Sequence, residues 1–378
     1  MKKLLIVNQS ANYLMEDIAR AFKNSGKYEK VVLMVGNPDN IDRVRTHGID
    51  VVGMYPYERN SFKSRFTSWV KGAMQIVREV RKNYKDYELF LVSNPPTIAF
   101  SVKYFKNKYS ILIYDVYPNG LSDGGFVKKS NIIYRIWAKR NIKFLAEAEH
   151  VYTITEGMKE TIGEYCHKEK IEVVELWGDS SLPILNVPKA ENIFLIENGI
   201  VGKFIIMYSG NIGKGHDLDI LIDVANELKK YKEILFLFVG QGYLKPVIEK
   251  KITEYGLRNV LMLPYQDKSI LPYSLSCSDI SVVSTNKQTG LVCIPSKTFD
   301  LIRLGKPVLC IAEPNSDISN FVKKHEIGQS FSRDQVDEMV NFILDMYKNP
   351  ERLRKFREAS SETAKSYTSE LANRFVID

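Results

Sequence analysis

A short segment near residue 300 carries the residue types that suit a phosphate ligand. It runs from Thr289 to Val308 and places Ser296, Lys297 and Asp300 in close succession. Serine is a preferred helix N-cap, and a lysine in the first helical turn is unfavourable beside the helix dipole unless an anion lies near. Asp300, three residues on, shares a face with Lys297. The segment therefore predicts a helix N-terminus that binds a phosphate, with Asp300 near the group to which the phosphate is attached. The alternative is an ordinary helix-to-strand connection with a solvated lysine.

Alternating strands and helices must position this segment. From Lys3 to Leu176 short apolar runs alternate with helical periodicity, Thr97–Lys106 among the predicted helices, and a second such series begins at Lys203. This is the pattern of parallel sheets with helices on both faces. Between the series Leu182–Gly202, rich in proline and asparagine, is predicted to be the linker. The predicted domains are residues 1–190, residues 200–355, and a C-terminal helix over 356–378 that packs back towards the first domain.

Glycines cluster where the predicted strands of the second series end. Ligands of open parallel sheets bind outside the carboxyl ends of the strands. Glycine lets the backbone approach a phosphate and present its N–H groups, although a tight turn or a helix cap would also explain each one. Neither GxGxxG nor GxxxxGK[ST] is present, which argues against dinucleotide and P-loop sites. The glycines are Gly210, Gly213, Gly215, Gly240, Gly242 and Gly290.

Positive charge is concentrated in one predicted helix of the first series. The net charge is +8, and Arg59–Lys85 contains eight basic residues against a single acid, Glu79. Apolar residues recur there at helical spacing, and a second basic helix is predicted over Asn131–Ala148. Either both helices bury an apolar stripe and show solvated charges, or they sit on anionic lipid; no nucleic-acid motif accompanies the charge. The predicted membrane-facing residues are Lys63, Arg65, Lys71, Arg78, Arg81 and Lys82.

The bulk properties indicate an ordinary globular protein of two domains. The 378 residues are 44% apolar and 26% charged, and the four cysteines show neither metal-ligand nor disulfide spacing. No run of 18 apolar residues and no signal peptide is visible. A reducing cytoplasmic location and the absence of a bound metal are therefore expected.

Several short motifs together resemble one class of enzymes. They are Asn94–Pro96, Tyr114–Pro118, Tyr208–Gly213, Phe238–Gly242, Cys277–Val283 and Pro295–Val308. In these residues the chain resembles glycosyltransferases of the GT-B fold, close to the retaining family 4 enzymes of bacterial polysaccharide, capsule and O-antigen synthesis. The resemblance implies an α/β fold of two Rossmann-like parallel-sheet domains that face a cleft.

The resemblance also implies a nucleotide-sugar donor, most often a UDP-sugar. Backbone around Gly210 and Asn211 would face the diphosphate, Lys214 and Lys297 would neutralise it, and Asp300 would hold the ribose hydroxyls. Val292 stands where the family has the first acid of its paired-acid motif. Further donor contacts would come from Gly240 and Gln241 in the second loop, from Gln266 beside the base, from Thr289, Gly290 and Leu291 beside the sugar, and from Ser296.

The implied reaction is retaining transfer of a sugar to a lipid-diphosphate-linked or saccharide acceptor at the inner face of the cell membrane. Asp115, at a predicted strand end, is the candidate catalytic or acceptor-activating residue. No metal or other cofactor is expected, because lysines and helix dipoles can stabilise a leaving diphosphate. Two alternatives stay open. One is a UDP-sugar 2-epimerase of the same fold, and the other is a non-catalytic subunit that binds nucleotide sugar or membrane, which Val292 favours.

Overall fold

The computed structural model describes residues 2–41, 44–58, 61–287, 290 and 292–376, which form two compact units. Unit 1 comprises the chain up to Leu176 together with the segment that starts at Ser369, and unit 2 comprises Trp177–Thr368. Each unit is built on one parallel sheet. Within the described residues, no helix combines the length and the apolar character that crossing a bilayer requires.

Unit 1 has a seven-stranded sheet in the order β3-β2-β1-β4-β5-β6-β7. Its strands are β1 Lys2–Asn8, β2 Tyr28–Val35, β3 Asp50–Gly53, β4 Glu88–Val92, β5 Tyr109–Ile113, β6 Val151–Thr153 and β7 Ile171–Val173. Its α-helices are α1 Tyr13–Asn24, α2 Phe62–Asn83, α3 Asn119–Asp123, α4 Ile132–Glu147 and α5 Glu156–Ile162. Short 3-10 helices occupy Pro38–Asn40, Arg45–His47, Pro96–Phe100, Val102–Tyr104, Lys168–Lys170 and Ser369–Phe375.

Unit 2 has a six-stranded sheet in the order β10-β9-β8-β11-β12-β13. Its strands are β8 Phe204–Ser209, β9 Ile234–Val239, β10 Val260–Leu263, β11 Ile280–Ser284, β12 Val308–Ile311 and β13 Gly328–Phe331. Its α-helices are α6 Ile193–Glu197, α7 Ile220–Glu227, α8 Lys245–Tyr255, α9 Leu271–Ser276, α10 Lys297–Arg303, α11 Asp317–Lys324, α12 Val336–Lys348 and α13 Pro350–Ala364. One 3-10 turn, Lys189–Glu191, precedes α6.

The sheets form because their central strands are apolar on both faces. All six residues of β9 are buried, as expected of a strand covered by helices on either side. Local signals start the helices: the Asn12 side chain accepts from Leu14 N at the start of α1, and Ser61 and Ser64 form a reciprocal capping box at the start of α2. In each sheet the strand order reverses once, between β1 and β4 and between β8 and β11. Ligands of open parallel sheets bind at this switch point.

The structure differs from the sequence-based prediction around residue 100. One helix was expected over Thr97–Lys106, but two 3-10 helices occupy Pro96–Phe100 and Val102–Tyr104. Isoleucine, threonine and valine lower helix propensity there because branching at Cβ restricts the side chain in a helix. These two 3-10 helices lie beside α2, and together with α2 they line a groove described below.

The segment predicted to be a linker is part of unit 2. The division of the chain falls after Leu176, and Leu182–Gly202 contains α6, whose Phe194 and Leu195 are buried against β8 and β9. Asn192 caps α6 by accepting from the N–H groups of both buried residues. Apolar packing thus ties this stretch to the second sheet.

The C-terminal stretch divides between the two units. Helix α13 lies in unit 2, where the Ser360 hydroxyl donates to Lys306 O. The last 3-10 helix instead completes unit 1, because Phe375 packs edge-on against Phe90 and Tyr152 of the first sheet. The part of residues 356–378 that packs on the N-terminal unit is therefore the segment from Ser369 onwards.

Candidate functional site

The loops that follow β8 and β9 are held together at the carboxyl ends of their strands. Gly210 N donates to Val239 O at 2.9 Å, and Ile212 N donates to Gln241 O at 2.9 Å. Gly240 has a φ of +150°, and a Cβ at this position would lie 1.9 Å from Gly210 O. Glycine is required at residue 240 because the neighbouring loop approaches so closely. The tight-turn interpretation therefore accounts for Gly240 without a ligand.

Lys297 and Tyr208 form the centre of the candidate site. Lys297 is the first residue of α10, and its Nζ lies 3.6 Å from the centroid of the buried Tyr208 ring. The Tyr208 hydroxyl donates to Asn211 O at 2.7 Å, which fixes the ring under the ammonium group. A cation above an aromatic face is attracted by the ring quadrupole. A Cβ built on Gly210 would lie 3.7 Å from Lys297 Nζ, so this glycine borders the ammonium.

The charge of Lys297 is not balanced by a neighbouring carboxylate. Burial lowers the pKa of the Lys297 ammonium to about 7, and no described acid offsets that effect. A buried cation without a counter-ion costs free energy in the unliganded protein. This is the arrangement expected of a group that waits for an anionic ligand.

Asp300 lies one helical turn from Lys297 and faces the same cavity. Its Oδ1 accepts from Asp179 N at 2.7 Å, and burial raises the pKa of the carboxyl to about 6. The shared cavity has a volume of about 120 Å³. Its lining residues are Met207, Ser209, Leu271, Leu275, Val282, Lys297, Asp300 and Leu301. The cavity therefore joins one cation, one acid and apolar side chains at the switch point of the second sheet.

His216 is a site residue that the sequence motifs contain but do not single out. Its Nδ1 lies 2.6 Å from Ser284 O, and its ring centroid is 6.0 Å from that of Tyr208. Burial lowers the pKa of the imidazole, and the nearby positive charge of Lys297 lowers it further. The ring is therefore neutral at physiological pH, with Nδ1 the donor to the carbonyl. The signal for it was its place at the end of the glycine-rich loop after β8.

Other predicted donor residues lie in the same loops, but the structure gives some of them different contacts. The exposed Lys214 places its Nζ 3.9 Å from the centroid of the Tyr243 ring, and the Gln266 amide donates to Pro264 O. Asn211 O accepts from the Tyr208 hydroxyl of β8, and Gln241 O accepts from Ile212 N of the neighbouring loop. Gly290 N donates to Asn286 O at 2.9 Å. Thr289 and Leu291 lie outside the described residues.

Ser296 does not cap the helix as predicted. It precedes Lys297 directly, but its own backbone is helical (φ −55°, ψ −33°) and its side chain forms no capping hydrogen bond. An N-cap serine needs an extended backbone for its hydroxyl to reach the first free N–H groups. The capping prediction is therefore wrong, whereas the position of Lys297 in the first turn is confirmed.

Asp115 follows β5 in unit 1. The Asp115 and Tyr114 N–H groups donate to the Ser93 hydroxyl at 3.3 and 3.0 Å, so this segment is fixed to the end of β4. Two residues on, Tyr117 stacks on Trp137 with ring centroids 5.9 Å apart. Burial raises the pKa of the Tyr117 phenol, and the charge of Asp115 adds to this effect. Asp115 itself is exposed.

The predicted membrane-facing residues of α2 fall into two groups. Lys63, Lys71, Arg78, Arg81 and Lys82 are exposed. Arg65 is the exception, because its Nε is buried and its charge acts on the buried Tyr117 phenol. Helical spacing explains the difference: residue 65 shares a face with the buried Trp69, Ile76 and Val80. Arg65 therefore does not belong to the exposed basic face.

Helix α4 does not bury the apolar stripe that its sequence contains. Trp137 is buried, but the neighbouring isoleucines are exposed, Ile132 to 64%, Ile133 to 60% and Ile136 to 50%. The interpretation in which both basic helices bury their apolar residues is therefore wrong for α4. Exposed isoleucines next to lysine and arginine are typical of a surface that meets an apolar partner.

The second half of the chain matches a known protein family. Residues 191–363 match the family model for glycosyl transferases group 1. This stretch contains the loop after β8, His216, Lys297 and Asp300. The chain therefore carries a group 1 glycosyltransferase domain, and the resemblance seen in its motifs is confirmed.

Two curated relatives support this assignment. The chain is 24% identical over 225 residues to a probable glycosyltransferase, WbjE, of Pseudomonas aeruginosa, which covers 58% of this chain and 55% of the relative. It is 33% identical over 116 residues to a putative colanic acid biosynthesis glycosyl transferase, WcaI, of Escherichia coli strain K12, with 31% of this chain and 28% of the relative covered. The chain thus spans about half, or less, of the length of these curated relatives.

The fold is shared with solved structures, a glycosyltransferase among them. The structure of Anabaena HepE in complex with UDP matches with a TM-score of 0.72 at 13% identity, over 100% of this chain and 98% of that chain. WaaG, a glycosyltransferase involved in lipopolysaccharide biosynthesis, matches with a TM-score of 0.69 at 12% identity, over 99% and 98%. The predicted fold class, two Rossmann-like parallel-sheet domains of the GT-B type, is confirmed.

Proposed function

We propose that the chain transfers a sugar from a nucleotide-sugar donor, and that Lys297 binds the donor's diphosphate. The observation that carries this proposal is the buried, uncompensated ammonium of Lys297 above the Tyr208 ring, at the switch point of a group 1 glycosyltransferase domain. A diphosphate would supply the missing negative charge. The same charge would stabilise the diphosphate as it leaves, which is the main electrostatic demand of glycosyl transfer.

We assign the donor to the UDP-sugars and the ribose contact to Asp300. HepE, whose fold this chain shares, has been crystallised with UDP and with UDP-glucose. Asp300 keeps one carboxylate oxygen on Asp179 N, so the other oxygen can accept from a ribose hydroxyl in the same cavity as Lys297. Polysaccharide synthesis is the favoured setting, because WcaI is named for colanic acid biosynthesis.

The acceptor we propose is a saccharide linked to a lipid diphosphate, with Asp115 as the residue that activates its hydroxyl. Asp115 is exposed at the end of β5, on a segment fixed by Ser93. Transfer would proceed with retention at the anomeric carbon, as the resemblance to the retaining enzymes implies. The anomeric configuration of the product, determined by the proton coupling constant in NMR, tests retention: the donor and product configurations should agree.

We further propose that unit 1 rests on the inner face of the cell membrane. The five exposed cations of α2 would be attracted to anionic headgroups, and the exposed isoleucines of α4 would be buried in the apolar part of the membrane. Each lysine or arginine near anionic headgroups contributes about 1 kcal/mol, and apolar side chains add their burial. Membrane binding should therefore weaken as salt is added but persist in part.

Transfer should need no metal ion. No group of three or more side chains that could hold a metal occurs in the described ranges, and Lys297 supplies a positive charge where the diphosphate is proposed to bind. Rates in excess EDTA and in added Mg²⁺ should agree within about twofold. A rate that EDTA abolishes and Mg²⁺ restores would contradict metal independence and leave the donor site to be tested separately.

A second candidate function is a non-catalytic subunit that binds nucleotide sugar. It is favoured by Val292, which stands where the family has an acid. The two functions differ in turnover. Full-length protein is incubated with labelled UDP-sugars and a membrane extract: label in the lipid fraction, lost in Lys297→Met, supports the transferase. UDP-sugar binding without label transfer would favour the non-catalytic subunit, and the absence of both would contradict the donor assignment.

A further inference from the structure

An apolar groove of about 680 Å³ lies on unit 1 between α2, α4 and the 3-10 helices of residues 96–104. We call it the α2–α4 groove. It is open to solvent, and Met74 on its wall is 68% exposed. Its apolar walls are formed by Phe66, Val70, Met74, Val77, Tyr104 and Ile133.

The groove is larger and more apolar than an ordinary surface depression. Large apolar side chains are normally scattered singly over the surface, whereas a contiguous exposed set marks a binding site or an interface. The volume lies within the range of about 300–1,000 Å³ that small-ligand pockets span. A single hydrocarbon chain, bounded by α2 on one side and α4 on the other, suits such a trough better than the flat contact a protein partner needs.

Two cations line the groove beside its apolar walls. Arg81 comes from the last turn of α2, and Lys103 from the second 3-10 helix. Both side chains are exposed, and Lys103 Nζ lies 4.7 Å from the centroid of the Tyr104 ring. The groove thus offers positive charge next to an apolar trough. The complementary ligand is the hydrocarbon chain of an anionic lipid.

The floor of the groove continues into the segment of Asp115. Trp137 and Thr97 lie at the base, and Trp137 stacks on Tyr117, two residues after Asp115. Thr97 is fixed in turn, because its hydroxyl donates to Trp69 O at 2.8 Å. A ligand in the groove would therefore contact Trp137, whose ring also packs on Tyr117 in the segment that holds Asp115. This continuity favours the acceptor over a bulk membrane lipid as the occupant.

We propose that the α2–α4 groove holds the hydrocarbon chain of the lipid-diphosphate-linked acceptor. The inference rests on the proposed function, because it assumes an acceptor of that class. It adds a specificity subsite: the enzyme selects acceptors by their lipid chain as well as by their saccharide.

The test compares two acceptors with the same saccharide diphosphate, one on a long polyprenyl chain and one on a ten-carbon chain. In wild-type protein kcat/KM should be at least tenfold higher for the long chain, mainly through KM. Met74→Glu, which places a charge in the trough at an exposed position, should reduce that ratio at least fivefold. An unchanged ratio in Met74→Glu would overturn the groove assignment.

Ile142→Glu is the matched control. Ile142 lies nine residues after Ile133 on α4, two and a half turns further and so on the opposite side, and it is 50% exposed. It is not among the residues that line the groove. In Ile142→Glu the ratio of kcat/KM between the long-chain and the ten-carbon acceptor should equal that of the wild type. An equal loss of this ratio in both variants would mean that added charge on α2 or α4 lowers the preference without involving the groove.

A binding measurement separates this inference from the proposed function. Wild-type protein in detergent is photolabelled with a benzophenone-tagged polyprenyl diphosphate, which requires no turnover. Label on peptides of α2 and α4, competed by untagged polyprenyl diphosphate, supports the groove even if no transfer occurs. Label elsewhere overturns it, as does label competed equally well by phosphatidylglycerol, because the groove would then seat a membrane lipid. Transfer to lipid acceptors combined with label elsewhere would retain the function and reject the groove.

Discussion

Replacing Lys297 by methionine tests the donor site most sharply, because it removes the charge while keeping most of the side-chain length. In the unliganded protein the Lys297 ammonium lies 3.6 Å from the centroid of the Tyr208 ring without a described counter-ion. We expect Lys297→Met to fold, since it removes a buried charge and keeps apolar contacts. The cost should therefore appear in donor binding and not in stability.

The size of the effect follows from the lost interaction. A hydrogen bond to a charged group contributes about 1.5–3 kcal/mol, which corresponds to roughly 10- to 150-fold in Kd. Because the pKa of Lys297 is about 7, half of the molecules are competent at pH 7, and the apparent wild-type affinity is halved there. The expected loss is therefore about 10- to 150-fold at pH 6 and about half that factor at pH 7.

The pH dependence gives an independent signature. The lysine must be protonated to bind the diphosphate, so wild-type affinity for UDP-glucose should fall about tenfold from pH 6 to pH 8. Burial lowers the pKa of His216 from its ordinary value, which moves its titration away from the range where Lys297 changes charge. Asp300, with a pKa of about 6, changes from half to fully ionised and alters affinity by about twofold at most. Lys297→Met should lose the tenfold dependence.

Isothermal titration calorimetry with UDP-glucose measures both effects on full-length protein. Lys230→Met is the matched control, because Lys230 is an exposed lysine of the same unit whose Nζ lies 5.4 Å from the Tyr231 ring centroid. It should bind as the wild type does. The reasoning is refuted if Lys297→Met binds within threefold of wild type at pH 6, or if it keeps the fall in affinity between pH 6 and pH 8.

Three further predictions concern stability and membrane binding. Asp300→Asn should stabilise the unliganded protein at pH 8 by about 1–2 kcal/mol in unfolding free energy, seen as a higher melting temperature. Burial raises the carboxyl pKa to about 6, so the ionised carboxylate destabilises the fold at pH 8 and the neutral amide does not. That gain should fade as pH falls from 6 towards the ordinary value of 3.8, and its absence at pH 8 would contradict the burial argument. Gly240→Ala should destabilise the fold by at least about 2 kcal/mol in chemical denaturation, since its Cβ would lie 1.9 Å from a backbone oxygen, whereas Gly26→Ala, with open space around it, should cost about 1 kcal/mol. Lys63→Glu combined with Lys82→Glu should weaken sedimentation with anionic vesicles at least tenfold and leave neutral vesicles unaffected, and equal binding to both would rule out the basic face.

The fold could be predicted from the sequence because its signals are local and repeated. Helix α1, Tyr13–Asn24, is an example: an N-cap asparagine and a clear apolar period, both visible in the sequence, fix it. Short elements without these signals were missed or misassigned. Helix α6 has five residues and is held by the burial of Phe194 and Leu195, a tertiary effect that no local period reveals.

The candidate site could be predicted in part, for a similar reason. Lys297 and Asp300 stand out because their types and spacing are visible along one helix. Tyr208 and His216 do not, because each belongs to the site only through contacts with residues far along the chain: the Lys297 ammonium in one case and Ser284 O in the other. The position of Arg65 needed the face of α2 to be known, which depends on what the helix packs against.

The most direct test of the central claim is a crystal structure of the chain with UDP bound. The account predicts that a diphosphate oxygen lies within hydrogen-bond distance, about 3 Å, of Lys297 Nζ, and that a ribose hydroxyl donates to Asp300. UDP bound with its diphosphate away from Lys297, or held at a site outside unit 2, would contradict it.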